Sequence, residues 1–266
     1  MAHQTAEAGG LDVAGPEDAP TAVFLHGAMF TRKLWAPQRD LLADEFRVLA
    51  PDLPGHGDRA GRDFDFERAL SVVDETVEAT GDDPVLLVGL SLGGYVATTY
   101  ASQHPDDVAG LVVSGASANP VGRMETVTRA IGKASRLATK SERVCRTIEN
   151  RAAKWVNERD LSREHKREIV ESGFYPRQFG IAGKYLAGTD FRRQFAAYPG
   201  PALVLNGERD AVMRRGEDDH AAAATDARVE TVDGVGHVCT LHRATRYTDA
   251  VRRFYRRSVA SGERVS

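Results

Sequence analysis

Six short apolar runs, each bounded by turn formers and separated from the next by residues that mostly show helical period, constrain this chain more than any other feature. Thr21 to Leu25 (TAVFL), Arg47 to Ala50 (RVLA), Val85 to Gly89 (VLLVG), Leu111 to Ser114 (LVVS), Ala202 to Leu205 (ALVL) and Val229 to Val232 (VETV) read as strands. The first five are almost wholly apolar, as strands covered on both faces of a parallel sheet must be. Lys33 to Glu45, Phe66 to Thr80, Ser91 to His104, Glu217 to Thr225 and Leu241 to Val259 carry the helical period. This alternation predicts an α/β fold: a mostly parallel sheet with helices on both faces.

The rhythm breaks once, between the turn dipeptide Asn119-Pro120 and the cluster Tyr198-Pro199-Gly200-Pro201. Inside, Met124, Val127, Ile131, Ala134, Ala138, Cys145, Ile148, Ala152 and Trp155 form a helical apolar stripe flanked by basic residues. Residues 1–118 and 196–266 are therefore expected to form the core, and 119–195 a helical cap inserted between two strands. A chain of 266 residues sits near the upper limit of one hydrophobic core, which suits a core plus an insertion.

Composition narrows the function classes. The chain carries 35 basic and 38 acidic residues, net charge -3, but residues 121–195 hold 17 basic against 9 acidic. That excess reads first as a solvated helical face; the functional alternative is inward-pointing arginines or lysines that attract an acidic substrate. Six lysines against 29 arginines, with abundant Ala, Val and Asp, indicate codon bias rather than a nucleic-acid surface. Only Cys145 and Cys239 occur, too few for a disulfide framework or a cysteine zinc site, which fits a reducing cytoplasm. The start MAHQTAEAGG lacks a signal-peptide pattern and no run of 18 apolar residues appears, so neither secretion nor membrane spanning is expected. A small-molecule substrate is the expected partner, with no nucleic acid and no membrane; oligomeric state leaves no mark in the sequence.

Gly89-Leu90-Ser91-Leu92-Gly93-Gly94 follows a strand and opens a helix, the context a G-x-S-x-G nucleophile elbow needs. There the serine occupies a strained turn with its hydroxyl exposed, and Gly89 and Gly93 avoid Cβ collisions. The following helix directs free N–H groups at any oxyanion formed, Leu92 supplying one donor. A serine needs a general base oriented by an acid. Asp210, in Asn206-Gly207-Glu208-Arg209-Asp210 after the strand ALVL, and His237, in Gly234-Val235-Gly236-His237 after VETV, lie in loops at the carboxyl ends of strands, on the same sheet edge as Ser91. Glu208 is the alternative acid, or else caps its loop.

With these residues in view the sequence resembles the α/β-hydrolase superfamily, whose triad runs Ser, Asp, His along the chain. His26-Gly27-Ala28 resembles the family's oxyanion loop, which implies Ala28 as the second backbone donor. Trp35 resembles its helix-start tryptophan and Pro51-Asp52-Leu53-Pro54-Gly55-His56-Gly57 its D-x-P-G-H-G loop. The nearest likeness is to the capped esterase and enol-lactonase group, which implies a cofactor-free serine hydrolase cleaving an ester or lactone, with Ser91, Asp210 and His237 as triad. The same triad serves thioester, carbon–carbon, perhydrolase and lyase chemistry, and a receptor-like protein could keep the pocket with little turnover. Two departures stand out. Only Leu11 to Ala14 suggests a strand before Thr21, where the family has a hairpin, so the sheet is expected to lack an edge strand. After His237 the chain reads Val-Cys-Thr-Leu-His-Arg instead of an acidic residue and a proline.

The remaining candidates take structural roles. His26 and His56 are expected to hold backbone, His104 to bond free carbonyls at a helix end, Cys239 to be a packed side chain and His242 to lie on a helix surface. No HExxH or other metal spacing occurs.

Overall fold

The computed structural model describes residues 6–81 and 83–260. Its centre is an eight-stranded sheet of order β1-β2-β4-β3-β5-β6-β7-β8. The strands are β1 (Ala6–Ala8), β2 (Leu11–Ala14), β3 (Thr21–Leu25), β4 (Arg47–Pro51), β5 (Val85–Leu90), β6 (Val108–Ser114), β7 (Ala202–Gly207) and β8 (Ala227–Val232). From β4 to β8 every neighbouring pair is parallel, while β1 and β2 run antiparallel at one edge. The mostly parallel α/β sheet predicted from the sequence is present, but the missing edge strand is not missing. A tight turn at Gly9-Gly10, with Gly10 at φ +83, folds β1 back on β2. Ala6-Glu7-Ala8 is too short and too weak in strand propensity to announce itself.

Alternate residues of the central strands feed two cores. Val23, Leu25, Leu87, Val113 and Val204 pack on one face, Ala22, Phe24, Leu86, Val88, Val112 and Leu205 on the other. This is the two-residue period of a strand buried on both sides. The helices are α1 (Ala36–Leu42), α2 (Phe66–Glu78), α3 (Leu92–Gln103), α4 (Arg123–Ala138), α5 (Glu142–Asn157), α6 (Arg163–Glu171), α7 (Pro176–Leu186), α8 (Phe191–Ala197), α9 (Ala211–Arg214), α10 (Glu217–Ala221), α11 (Cys239–His242) and α12 (Ala244–Phe254). The first core takes in α3 residues such as Val96 and Tyr100; the second takes in Trp35, Leu42 and, from α12, Tyr247 and Val251.

Two stretches expected as single helices are divided. A 3-10 turn, Arg32–Trp35, precedes α1, because Pro37 has no N–H to give and suits a first turn. Arg243, at φ -140, separates α11 from α12, and a wider π turn follows from Tyr255 to Ala260.

Helices α4 to α8 lie between β6 and β7. They are tied to the rest at several points: Arg39 of α1 donates to the Glu168 carboxylate of α6 at 3.0 and 3.2 Å, Gln178 of α7 accepts the Phe64 N–H at 2.9 Å, and Phe191 of α8 packs on Tyr95 of α3 with ring centroids 4.5 Å apart. A buried ion cluster braces the N-terminal side. Arg32 bonds Asp12 at 2.8 Å and pairs with Asp52, whose carboxylate also accepts the Arg32 and Asp58 backbone N–H groups at 2.8 and 3.0 Å. No helix among the described residues is long and apolar enough to cross a membrane.

Candidate active site

In the sheet order the chain leaves β3 towards β4 on one side and returns to β5 on the other, so the loops after β3 and β5 are neighbours at the point where the winding reverses. In open α/β sheets ligands bind at that crevice. Ser91 fills the turn between β5 and α3 with φ 53 and ψ -115, and it is the one non-glycine residue at positive φ among those described. Such a backbone costs of order 1–3 kcal/mol and persists only where its surroundings enforce it. The Ser91 N–H donates to Ser114 O at 2.7 Å, and its carbonyl accepts the Gly94 and Tyr95 N–H groups. A Cβ on Gly89 would lie 2.3 Å from Gly93 O, and one on Gly93 would lie 2.2 Å from Leu25 O. Both glycines are therefore required by contact with backbone.

The loop after β3 passes beside the serine, with Gly27 3.5 Å (from an added Cβ) to the Ser91 Cβ. Two buried histidines hold it, as expected. His26 accepts the Leu53 N–H at 2.9 Å on Nε2 and sets Nδ1 3.0 Å from Gly27 O. His56 sets Nε2 2.9 Å from Ala28 O and Nδ1 3.0 Å from Pro54 O. Burial pushes both imidazoles below their ordinary pKa, most strongly His26, which also feels His56.

Asp210 opens α9 after β7, its N–H donating to Gly207 O at 3.0 Å. Its buried carboxylate oxygen Oδ2 lies 2.7 Å from Nδ1 of His237, whose side chain is 41% exposed. Glu208 turns away and accepts the Gly234 N–H at 2.7 Å, capping the β8 loop. Ser91, Ala28, Leu92, Asp210 and His237 all line one cavity of about 400 Å³. A larger depression of about 780 Å³ beside α11 and α12 is lined mainly by charged side chains and contains none of them.

Five residues to which the sequence reading gave no role in the site support this geometry. Gly115, just after β6 at φ +59, lies under the His237 ring; an added Cβ would stand 2.8 Å from its Cε1. Its N–H donates to Asn206 Oδ1 at 2.9 Å, and Asn206 Nδ2 donates to Ser117 Oγ at 3.0 Å and to Glu217 Oε2 at 2.9 Å. Arg214 pairs with that same Glu217 carboxylate. This buried chain locks the loop after β6 to the end of β7. The signals for it were a glycine directly after a strand and a polar residue ending an apolar one.

Other histidines and thiols stand apart. His104 does not bond helix-end carbonyls: its ring stacks on Tyr100, with Nδ1 3.7 Å from Asp107. His242 is half-buried rather than on a helix surface, packed edge-on against Trp155. Cys239 is buried and burial pushes its thiol up to about 12, so it stays a neutral packed group. Among the described residues no cluster of His, Cys, Asp and Glu could hold a metal ion.

The family model described as "Alpha/beta hydrolase family" matches residues 22–250, and the chain belongs to that family. It is 29% identical over 231 residues to a pimeloyl-[acyl-carrier protein] methyl ester esterase of Aromatoleum aromaticum, covering 82% of this chain and 91% of that protein. Several other curated relatives match over roughly a hundred residues, and the chain spans 26% to 40% of their length. A thermophilic esterase from Thermogutta terrifontis superposes with TM-score 0.71 at 22% identity, covering 94% of this chain and 93% of that one. The enol-lactonase from Burkholderia xenovorans LB400 gives 0.71 at 20%, covering 92% and 95%. At these identities the structural likeness is one of fold.

Proposed function

We propose that this chain hydrolyses an ester or lactone of a small molecule through an acyl-enzyme. Asp210 holds His237, which takes the Ser91 proton as Oγ attacks the carbonyl carbon. The negative charge that develops on the carbonyl oxygen is met by the backbone N–H groups of Ala28 and Leu92. His237 then gives its proton to the leaving oxygen, the carbon–oxygen bond breaks, and Ser91 carries the acyl group. Water, deprotonated by His237, attacks this acyl-enzyme and releases the acid, and Ser91 recovers its proton. The observation that carries the reading is the strained Ser91 sharing one cavity with an Asp210–His237 pair 2.7 Å apart.

In the same reading residues 119–195 act as a cap, since α4 and α7 supply much of the cavity wall. The two free, buried cysteines are consistent with a reducing compartment such as the cytoplasm. The test is intact mass after exposure to a fluorophosphonate, followed by an ester and lactone panel. One adduct on the unaltered chain, absent in Ser91→Ala, together with turnover of a panel member, is the expected result. No adduct on folded protein would remove Ser91 from the role.

A further inference from the structure

Seven large apolar side chains stand exposed among the described residues, and five of them surround one opening. Met124, Val127, Ile131, Phe179 and Val212, 39% to 53% exposed, all line the cavity that holds Ser91 and His237. Scattered apolar residues on a surface need no explanation, but a contiguous patch at a cavity mouth marks something that covers it. The patch arises from how α4 is seated. Gly132 is the only residue of α4 that is buried, and it meets Gly180 and Gly183 of α7 at close range, 3.3 Å from an added Cβ to Gly180 O. Small residues make the helix contact, so Met124, Val127 and Ile131 are left for the rim.

The electrostatics of the cavity point the same way. Among the described residues no lysine or arginine lines it, and its only carboxylate is Asp210. None of the seventeen basic residues of 121–195 lines the cavity, and four of them are engaged elsewhere: Arg129 pairs with Glu125, Arg192 with Asp219, Arg159 lies over the Trp155 ring and Arg177 donates to Thr139 O. Tyr95, which shares the wall with Asp210 and His237, is kept neutral by burial and by Asp210, and its hydroxyl is spent on Ala118 O at 2.8 Å. A substrate carboxylate would find no counter-ion here and would face Asp210.

Resting on the hydrolase reading above, we infer that the site takes an uncharged ester with one long hydrocarbon arm, its carbonyl at Ser91 and the far end of the arm lying across Val127, Ile131, Phe179 and Val212. The occupant of the patch is the substrate's own chain, because the rim residues line the same cavity as Ala182 and Leu186, and Thr128 is the only polar side chain that α4 and α7 add to its wall.

Two series test this on the full chain, each measured below and then above the critical micelle concentrations: p-nitrophenyl esters from acetate to decanoate, and alkyl acetates of matched length. Each is accompanied by a long member bearing a terminal carboxylate. The expected result is a kcat/KM that rises about two- to fourfold per methylene in one series, as burial of a methylene allows, with the carboxylate analogue about tenfold poorer or worse. Ile131→Asp and Val212→Asp, both at exposed positions, should lower the long-to-short preference about tenfold. A flat length profile in both series, or preference for the carboxylate, overturns the inference. So does a rate that jumps only above the micelle threshold, which gives the patch to a lipid surface, or a dimer in sedimentation that Ile131→Asp dissociates, which gives it to a second copy. If acetate is cleaved and Ser91 is labelled while the profile stays flat, only the substrate class fails. If no ester turns over and Ser91 takes no fluorophosphonate, the hydrolase reading fails with it.

Discussion

Ser91, Asp210 and His237 each sit where a strand runs out into a loop, and that local context is why their placement on one sheet edge was legible in the sequence. A strand end is marked by a run of apolar residues stopping, and the sheet then brings every such end to one edge. Gly115 also follows a strand directly, but its importance lies in the His237 ring above it, which no local pattern shows. Gly115→Ala should lower kcat/KM by about ten- to a hundredfold, since small displacements of a positioned base are costly, with activity on the best ester of the panel as the measure. Wild-type rates would show that the ring yields to the added methyl. Asp210→Asn should cost about a thousandfold or more in kcat by losing the hold on the His237 tautomer; an unchanged rate would transfer the acid role to another carboxylate.

At the scale of elements, strands with all-apolar cores were visible; β3 was read at its full length and the others one to three residues short, in part because Gly110, Asn206 and Gly207 still join the ladder. Helix breaks were harder to foresee, as at Arg243, where the apolar period runs on across a break in the backbone. The contact between α4 and α7 belongs to this scale. A Cβ on Gly180 would lie 2.8 Å from the Arg136 N and 3.0 Å from Gly132 O. Gly180→Val should therefore push α4 off α7 and cost about 1–3 kcal/mol of stability, measured by urea unfolding. A loss below about 0.5 kcal/mol, within the range of ordinary surface changes, would mean the crossing relaxes freely. The ion cluster of Asp12, Arg32 and Asp52 ties β2 to the loop that holds His56. Removing one partner leaves buried charge uncompensated, so Asp52→Ala should cost about 3–5 kcal/mol, seen as a large fall in the urea midpoint.

For the molecule as a whole, acid should loosen the fold before it reaches the carboxylates. His220 is fully buried against Phe195, neither ring nitrogen has a hydrogen-bond partner, and burial, with Arg192 nearby, pushes it down to about 4. The unfolded chain takes up that proton near 6.5, so between 6.5 and 4 the unfolded state binds more protons and stability falls as pH falls. The loss from this group is about 2 kcal/mol on going from pH 7.5 to 5, and buried His26 acts in the same direction. Urea midpoints at the two values should show it, and His220→Leu should remove much of the difference; an equal pH dependence in the variant would place the effect elsewhere. What the sequence alone determined is the kind of sheet, the edge on which the loops meet and the order Ser, Asp, His, because these follow from short-range periodicity and from turns that demand particular residues. Only the tertiary structure decided that the basic excess between β6 and β7 stays off the cavity wall, that Gly115 lies beneath His237 and that five exposed apolar residues ring one opening. Those facts depend on which face of each helix meets which neighbour, and that is settled by packing between residues far apart in the chain.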